Sequence, residues 1–413
     1  MKKYILLFTL LIIGCDEQKE FERNIFTEIN QSNEEISIKM EDSTLKNKEK
    51  VESNKTKTYT DKELKELIGN MFMVGFYGTD INTKSQIVKD MEDYHIGGVI
   101  LFDKHPSKKG KSKNIKNPKQ LKKLTQKLQN YSSYPLFIAT DQEGGKVARL
   151  RKKTGFKKDF PSAKEISNYK NLHSVEKIYS DMAKVLYNSG INLNFAPDVD
   201  MEMNPKNVVI VKLKRSYGKE PEQVVRFSKL FIEAMHNNGI LTSLKHFPGH
   251  GSSTGDTHKG FVEITKSWKP IELEPYINLI EQNLTDTIMV AHVFNKNIDD
   301  KYPSSLSYKT VTEKLREELG YQGVVVTDDL QMYAISKHFT LEETIKLSIN
   351  AGVDLLLFGN QLDPKNIVSV KKLVDTTLLL IKSKEISLQI IIDANNRIKK
   401  LKSKIKIHKE QGL

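Results

Sequence analysis

Eight short apolar runs, most of them followed by a helical pattern, constrain this chain more than any other feature. They cover residues 71–76, 97–102, 136–140, 192–196, 241–245, 287–292, 324–327 and 353–358. Continuous apolar strands alternating with amphipathic helices require a parallel sheet with both faces buried. Eight such units over about 300 residues predict an α/β fold, a single (β/α)8 TIM-type barrel. A doubly wound sheet ranks second, because no Gly-rich nucleotide turn follows the first run.

The barrel reading carries its own test. Reactive side chains of a barrel gather just after the C-terminal ends of the strands. The third run is followed by Asp141, Glu143, Lys146 and Arg149, and the fourth by Asp198 and Asp200. The fifth ends in Lys245 and His246, the sixth in Ala291 and His292, and the seventh leads into Asp328 and Asp329. A purely structural chain has no reason to place charge at so many strand ends.

The fifth run deserves the closest reading. It opens into Lys245-His246-Phe247-Pro248-Gly249-His250-Gly251, a four-residue spacer, and Asp256-Thr257-His258. Glycines at 249, 251 and 255 allow positive φ and movement. A carboxylate two residues before a histidine can hold its tautomer and raise its basicity, which makes a tunable general acid/base. Three histidines and an aspartate could instead hold a metal. The spacing is neither a helical HExxH nor a Cys/His structural pattern, so no metal and no cofactor is expected. A carboxylate directly after the seventh run is rigidly placed for nucleophilic attack. Strand alternation says only that one of Asp328 and Asp329 points inward.

KHFPGHG, four residues, then Asp-x-His resembles the signature of the β-N-acetylhexosaminidases of glycoside hydrolase family 3. Other stretches are similar to the family in the same order: 141–149 with Lys146 in place of Arg, Phe160-Pro161-Ser162-Ala163, 192–200, Arg215-Ser216-Tyr217-Gly218, Ala291-His292 with 303–307, Thr327-Asp328-Asp329-Leu330 with Met332, and 351–354. The resemblance covers roughly residues 60 to 400. It selects Asp328 over Asp329 as nucleophile and makes His258, assisted by Asp256, the acid/base. It places Asp141, Arg149, Arg215, Lys245 and His246 around the terminal sugar, with Glu143, Asp198, Asp200 and His292 behind them. Taken alone, Arg149 could simply brace a barrel loop. The implied reaction is retaining removal of a terminal β-linked N-acetylglucosamine from a muropeptide or chitooligosaccharide. Phosphorolysis, broad β-glucosidase action and sugar binding without turnover are the alternatives. Many relatives draw the acid from a second α/β domain; here the Asp256/His258 loop is expected to supply it.

Two stretches depart from the family. Residues 206–214, between Asn204-Pro205 and Arg215, lack a usual Pro and run slightly longer, which leaves that loop's shape open. Residues 105–123 are long and Lys-rich and read as a solvated basic loop on the active-site face.

Residues 1–14 read as a lipoprotein signal: Lys2-Lys3, an apolar run too short to span a bilayer, then Leu11-Ile12-Ile13-Gly14-Cys15. Cys15, the only cysteine, sits where such a signal is cut and lipidated, so no internal disulfide is possible. Residues 15–59, polar and poor in aromatics, read as a disordered tether. The barrel is expected over 60–410, as an exported monomer held to a bacterial membrane by its lipid, on the periplasmic or extracellular face. The net charge of +13 is spread over helical faces and tails and forms no dense stripe with aromatics. No nucleic-acid partner is expected. A capping box at Thr60 predicts a helix over 61–70, and helical spacing predicts two more over 364–383 and 387–406. In the last, Ile390, Ile391, Ala394, Ile398 and Leu401 form the core stripe, with Asn395, Asn396 and the lysines on the wet face.

Overall fold

The computed structural model describes residues 58–405. The leader, Cys15, the tether up to residue 57 and residues 406–413 lie outside the described residues. Each of the eight apolar runs contributes one strand: β1 Phe72–Gly75, β2 Gly98–Ile100, β3 Phe137–Thr140, β4 Leu193–Asn194, β5 Leu241–Phe247, β6 Thr287–Val290, β7 Val324–Thr327 and β8 Leu356–Phe358. All pair in parallel, in the order β7-β6-β5-β4-β3-β2-β1-β8. Val326 and Leu355 bridge β7 to β8, and Thr327 N–H donates to Leu355 O at 3.0 Å, which closes the sheet into a barrel.

Helices return the chain after each strand, among them Gln86–Tyr94, Pro118–Tyr131, Leu172–Asn188 and Pro221–Asn237. Their apolar stripes cover the outside of the barrel, so the strand residues are buried on both faces. This explains why the runs are continuous and do not alternate. The C-terminal ends of all eight strands then share one face, and the connecting loops there carry the charged residues singled out above.

Thr60 caps the helix Asp61–Gly69 through a full capping box with Glu63. Two boundaries differ from expectation. The helix predicted from residue 364 starts at Val370, capped by Ser369, because Asp363 accepts from Lys365 N and Asn366 Nδ2 and holds a turn there instead. The last helix runs Leu388–Lys402 and ends at Ser403. Asn395, expected on its wet face, is buried and donates to Leu67 O and Ile391 O while accepting from Asn70 Nδ2. Lys402 is buried beside it, donating to Asn70 Oδ1 with its ammonium over the rings of Tyr134 and Phe137. The last helix packs here on the C-terminal end of the helix Asp61–Gly69, where Leu67 O and the side chain of the C-cap Asn70 take partners, so its inner face carries polar groups as well as apolar ones. Arg397 on Asp354 and Lys404 on Asp286 complete that tie. Among the described residues no helix is long and apolar enough to cross a membrane.

Candidate active site

At the C-terminal mouth of the barrel, one network joins every sugar-binding residue named from the sequence. Arg149 donates to Asp141 Oδ2 at 2.9 Å, and Lys245 Nζ lies 2.9 Å from Asp141 Oδ1 and 2.7 Å from Glu143 Oε1. Arg215 grips Glu143 with two bonds of 2.8 Å, Nε to Oε2 and Nη2 to Oε1. Its Nη2 is also 3.2 Å from His246 Nε2, and His246 Nδ1 is 2.7 Å from Asp200 Oδ2. A proton on Nδ1 satisfies both contacts of that ring.

Burial pushes the Asp141 carboxyl up, but Lys245 and Arg149 outweigh it and hold the group well below the usual carboxylate range. Glu143 is likewise raised by burial, then drawn down to about 2 by Arg215 and Lys245. Asp198, buried and beside Asp200 and Glu143, is pushed well above the normal range although Arg215 opposes this. Asp141 and Glu143 are therefore held as carboxylates paired with Lys245, Arg149 and Arg215, while Asp198 behind them favours its protonated form.

Lys245 and His246 both reach this network, although consecutive strand residues normally face opposite ways. The ladder to β6 shifts register between Leu244 and Phe247, and that irregularity admits both side chains. β5 accordingly extends through Phe247, two residues past the run predicted from the sequence. The strand pairing of β4 stops at Asn194 and resumes as a bridge between Asp198 and Lys245, which sets Asp198 and Asp200 against β5.

Asp328 directly follows β7, with its N–H donated to Val290 O at 3.0 Å. Its Oδ1 accepts from Asp329 N at 2.8 Å. Burial raises it, but the imidazoles of His292, His246 and His258 and that backbone donor bring it below its ordinary value, so it stands ionised. Asp329 accepts from Gln331 N and Gly359 N, and burial raises its carboxyl to about 6. His292 bonds Ser305 Oγ through Nδ1 at 2.7 Å and Asp329 O through Nε2 at 3.0 Å, which fixes the peptide that follows Asp329.

Asp256 Oδ1 accepts from both His258 N and His258 Nδ1 at 3.0 Å. Nε2 is then the nitrogen left for proton exchange. The ring, 57% exposed, stands at the mouth. Burial lowers its pKa, but the Asp256 bond and the field of Asp328 outweigh this and raise it. The loop carrying the pair is docked at several points. Trp268 Nε1 donates to Pro248 O at 3.0 Å, Glu272 Oε2 accepts from Ser252 N at 3.2 Å, and Ala334 N donates to Thr257 O at 3.2 Å. Gly249 takes the positive φ read from the sequence, 119°, and both Gly249 and Gly251 stand where another segment approaches closely. A Cβ on Gly249 would lie 2.8 Å from Glu272 Cβ, and one on Gly251 would lie 1.8 Å from Met201 O.

Several contributors escaped sequence reasoning. Asn207, in the stretch whose shape was open, is buried; it donates to His250 O and accepts from Val209 N and Ile210 N, packing that stretch against the Asp256/His258 loop. Glu272 and Trp268 lie far along the chain on a segment with no catalytic pattern. Lys113, expected in a solvated loop, is buried, because the preceding residues loop out and return it beneath the strand ends. The only available signal was the apolar Ile115 two residues later. Asp198, Asp200 and His246 bring ligand atoms within 4.8 Å of one another, a set able to hold a metal. Arg215 already lies 3.1 Å from Asp198 Oδ2, so a cation is built into that position.

Residues 63–401 match the family model described as the glycosyl hydrolase family 3 N terminal domain. Beta-hexosaminidase A of Pseudoalteromonas piscicida is 36% identical over 285 residues, covering 64% of this chain and 46% of that protein. The beta-hexosaminidase of Tolumonas auensis is 34% identical over 276 residues, 64% of this chain and 76% of the relative. The solved glycoside hydrolase family 3 beta-N-acetylglucosaminidase of Paenibacillus sp. str. FPU-7 superposes with a TM-score of 0.74 at 31% identity, over 83% of this chain and 62% of that one. The chain thus spans about half the length of the first of these relatives.

Proposed function

Because the chain belongs to glycosyl hydrolase family 3, we propose that it is a retaining exo-β-N-acetylglucosaminidase. The observation that carries the reading is an ionised Asp328 at a strand end, facing the field of a histidine whose proton is held by Asp256. Asp328 attacks the anomeric carbon as His258 Nε2–H protonates the departing glycosidic oxygen, which leaves a glycosyl-enzyme and a neutral imidazole. Water then gives its proton to His258 and its oxygen to the anomeric carbon, and Asp328 is released. Asp141, Arg149, Lys245 and His246 hold the hydroxyl and N-acetyl oxygens of the terminal sugar, with Arg215 bracing them through Glu143. The relatives' names support hexosaminide substrates.

The test compares nitrophenol release from the β-N-acetylglucosaminide and the β-glucoside, with and without phosphate. Turnover of the first alone, insensitive to phosphate and reduced at least ~1,000-fold in Asp328→Ala, is the expected outcome. A sugar 1-phosphate product would make the protein a phosphorylase. Sugar binding without turnover would make it a binding protein.

The natural substrate in this reading is a peptidoglycan muropeptide, met outside the cytoplasmic membrane by a protein anchored through Cys15. Its support is the basic-then-apolar leader ending at the only cysteine. In a detergent phase separation the wild type should enter the detergent phase and Cys15→Ala the aqueous phase; an aqueous wild type would sink the anchor.

A further inference from the structure

The loop after β2 exposes Lys104, Lys108, Lys109 and Lys111, yet withdraws Lys113 almost completely, at 1% exposure. Lys113 Nζ donates to Gly359 O at 2.8 Å and Asn360 O at 2.6 Å. It stands 4.6 Å from the ring centre of Tyr77 and 4.7 Å from that of Phe102. A lysine so far from water is unfavourable unless its donors are used, and here they converge on two carbonyls and two ring faces.

Those carbonyls belong to the segment that leaves β8, and the same two residues face the end of β7. Gly359 N donates to Asp329 Oδ1 at 3.1 Å, and Asn360 N donates to Gln331 Oε1 at 2.7 Å. Gln331 returns a bond from Nε2 to Asn360 Oδ1 at 3.1 Å, and its own N–H reaches Asp329 Oδ1 at 3.1 Å. Asp329 N in turn donates to Asp328 Oδ1 at 2.8 Å. The path from the ammonium to the Asp328 carboxylate is unbroken and contains no exposed flexible side chain.

We propose that Lys113 is a positioning residue for the nucleophile: its ammonium fixes the peptide units of Gly359 and Asn360, which hold Asp329 and Gln331 and, through Asp329, the carboxylate of Asp328. The role rests on the assignment of Asp328 made above. Lys113 touches no reacting atom. It acts on the angle and reach of Asp328, and so on the attack step more than on sugar binding. Burial draws the Lys113 pKa down to about 7, and the field of Asp329 along the path opposes this by favouring the ammonium.

The test uses the full chain and the nitrophenyl β-N-acetylglucosaminide. Lys113→Met should lower kcat at least tenfold with KM within threefold. Lys113→Arg, whose guanidinium can still reach both carbonyls, should recover most of that loss. Gln331→Met removes the Asn360 branch of the path, leaves the buried ammonium and the Gly359 N–Asp329 bond in place, and should lower kcat in the same direction by a smaller factor even if Lys113→Met does not fold. Turnover lost in Asp328→Ala but kept at wild-type kcat in Gln331→Met and in any folded Lys113→Met would overturn the positioning role alone. So would a fall confined to melting temperature, with kcat intact well below it. Turnover retained in Asp328→Ala would overturn the nucleophile assignment and the positioning role together.

Discussion

A single hydrogen bond, 3.0 Å from His258 Nδ1 to Asp256, sets the proton chemistry of the mouth. It lifts the imidazole above its ordinary value of 6.5. An acid must carry its proton when substrate arrives, so kcat/KM should fall as pH rises through that raised value. Asp256→Asn removes the carboxylate's part of the lift, and the descending limb of the kcat/KM profile should move towards more acidic pH. A limb that stays in place would mean another group limits the reaction. The sequence supplied this pair, because its members lie two residues apart and need no tertiary information to meet. It did not separate Asp328 from Asp329 by chemistry. That distinction follows from neighbours brought in by other strands: three imidazoles around Asp328, and two backbone donors with deep burial around Asp329.

At the scale of elements, the Asp256/His258 loop is governed by the segment that follows it. Trp268 and Glu272 pin its base, and Glu272 is a buried carboxyl that accepts from Ser252 N and Lys269 N and is raised by burial to about 7. An acid whose folded pKa is raised costs nothing below its unfolded value. Stability should therefore fall as pH climbs from about 4.5 to about 7, by on the order of 3 kcal/mol. Glu272→Gln should flatten that part of the stability curve, read by denaturant unfolding between pH 5 and 8. An unchanged slope would place the titration elsewhere. Helix positions were legible from periodicity, but Asn395 and Lys402 were not. Spacing marks a face as inner or outer and does not record that the inner face of this helix meets the polar C-terminal end of the helix Asp61–Gly69.

For the whole molecule, Asp354 is the tie between barrel and surround. Buried at the entrance to β8, it accepts from Arg316 Nη2, Arg397 Nε and Val325 N. Asp354→Ala takes the carboxylate away from two arginine cations and leaves Val325 N–H without its acceptor, and should cost about 3–5 kcal/mol of stability in denaturant unfolding while sparing turnover at low temperature. A loss below about 1 kcal/mol would show that water replaces the carboxylate. The sequence by itself determined the eight strands, their parallel order and the face on which chemistry gathers. Continuous apolar runs alternating with helical patterns fit strands buried on both sides, and eight such βα units favour a closed barrel over a doubly wound sheet. It also named the groups that meet there. Only the tertiary structure decided how they meet. The register shift that turns Lys245 and His246 to one side, the burial of Glu272, and the return of Lys113 beneath β8 all depend on contacts between residues far apart in the chain, up to 247 positions for Lys113 and Asn360. No local pattern encodes such distances, because each is fixed by where the closed barrel leaves a carbonyl or a carboxylate in need of a partner.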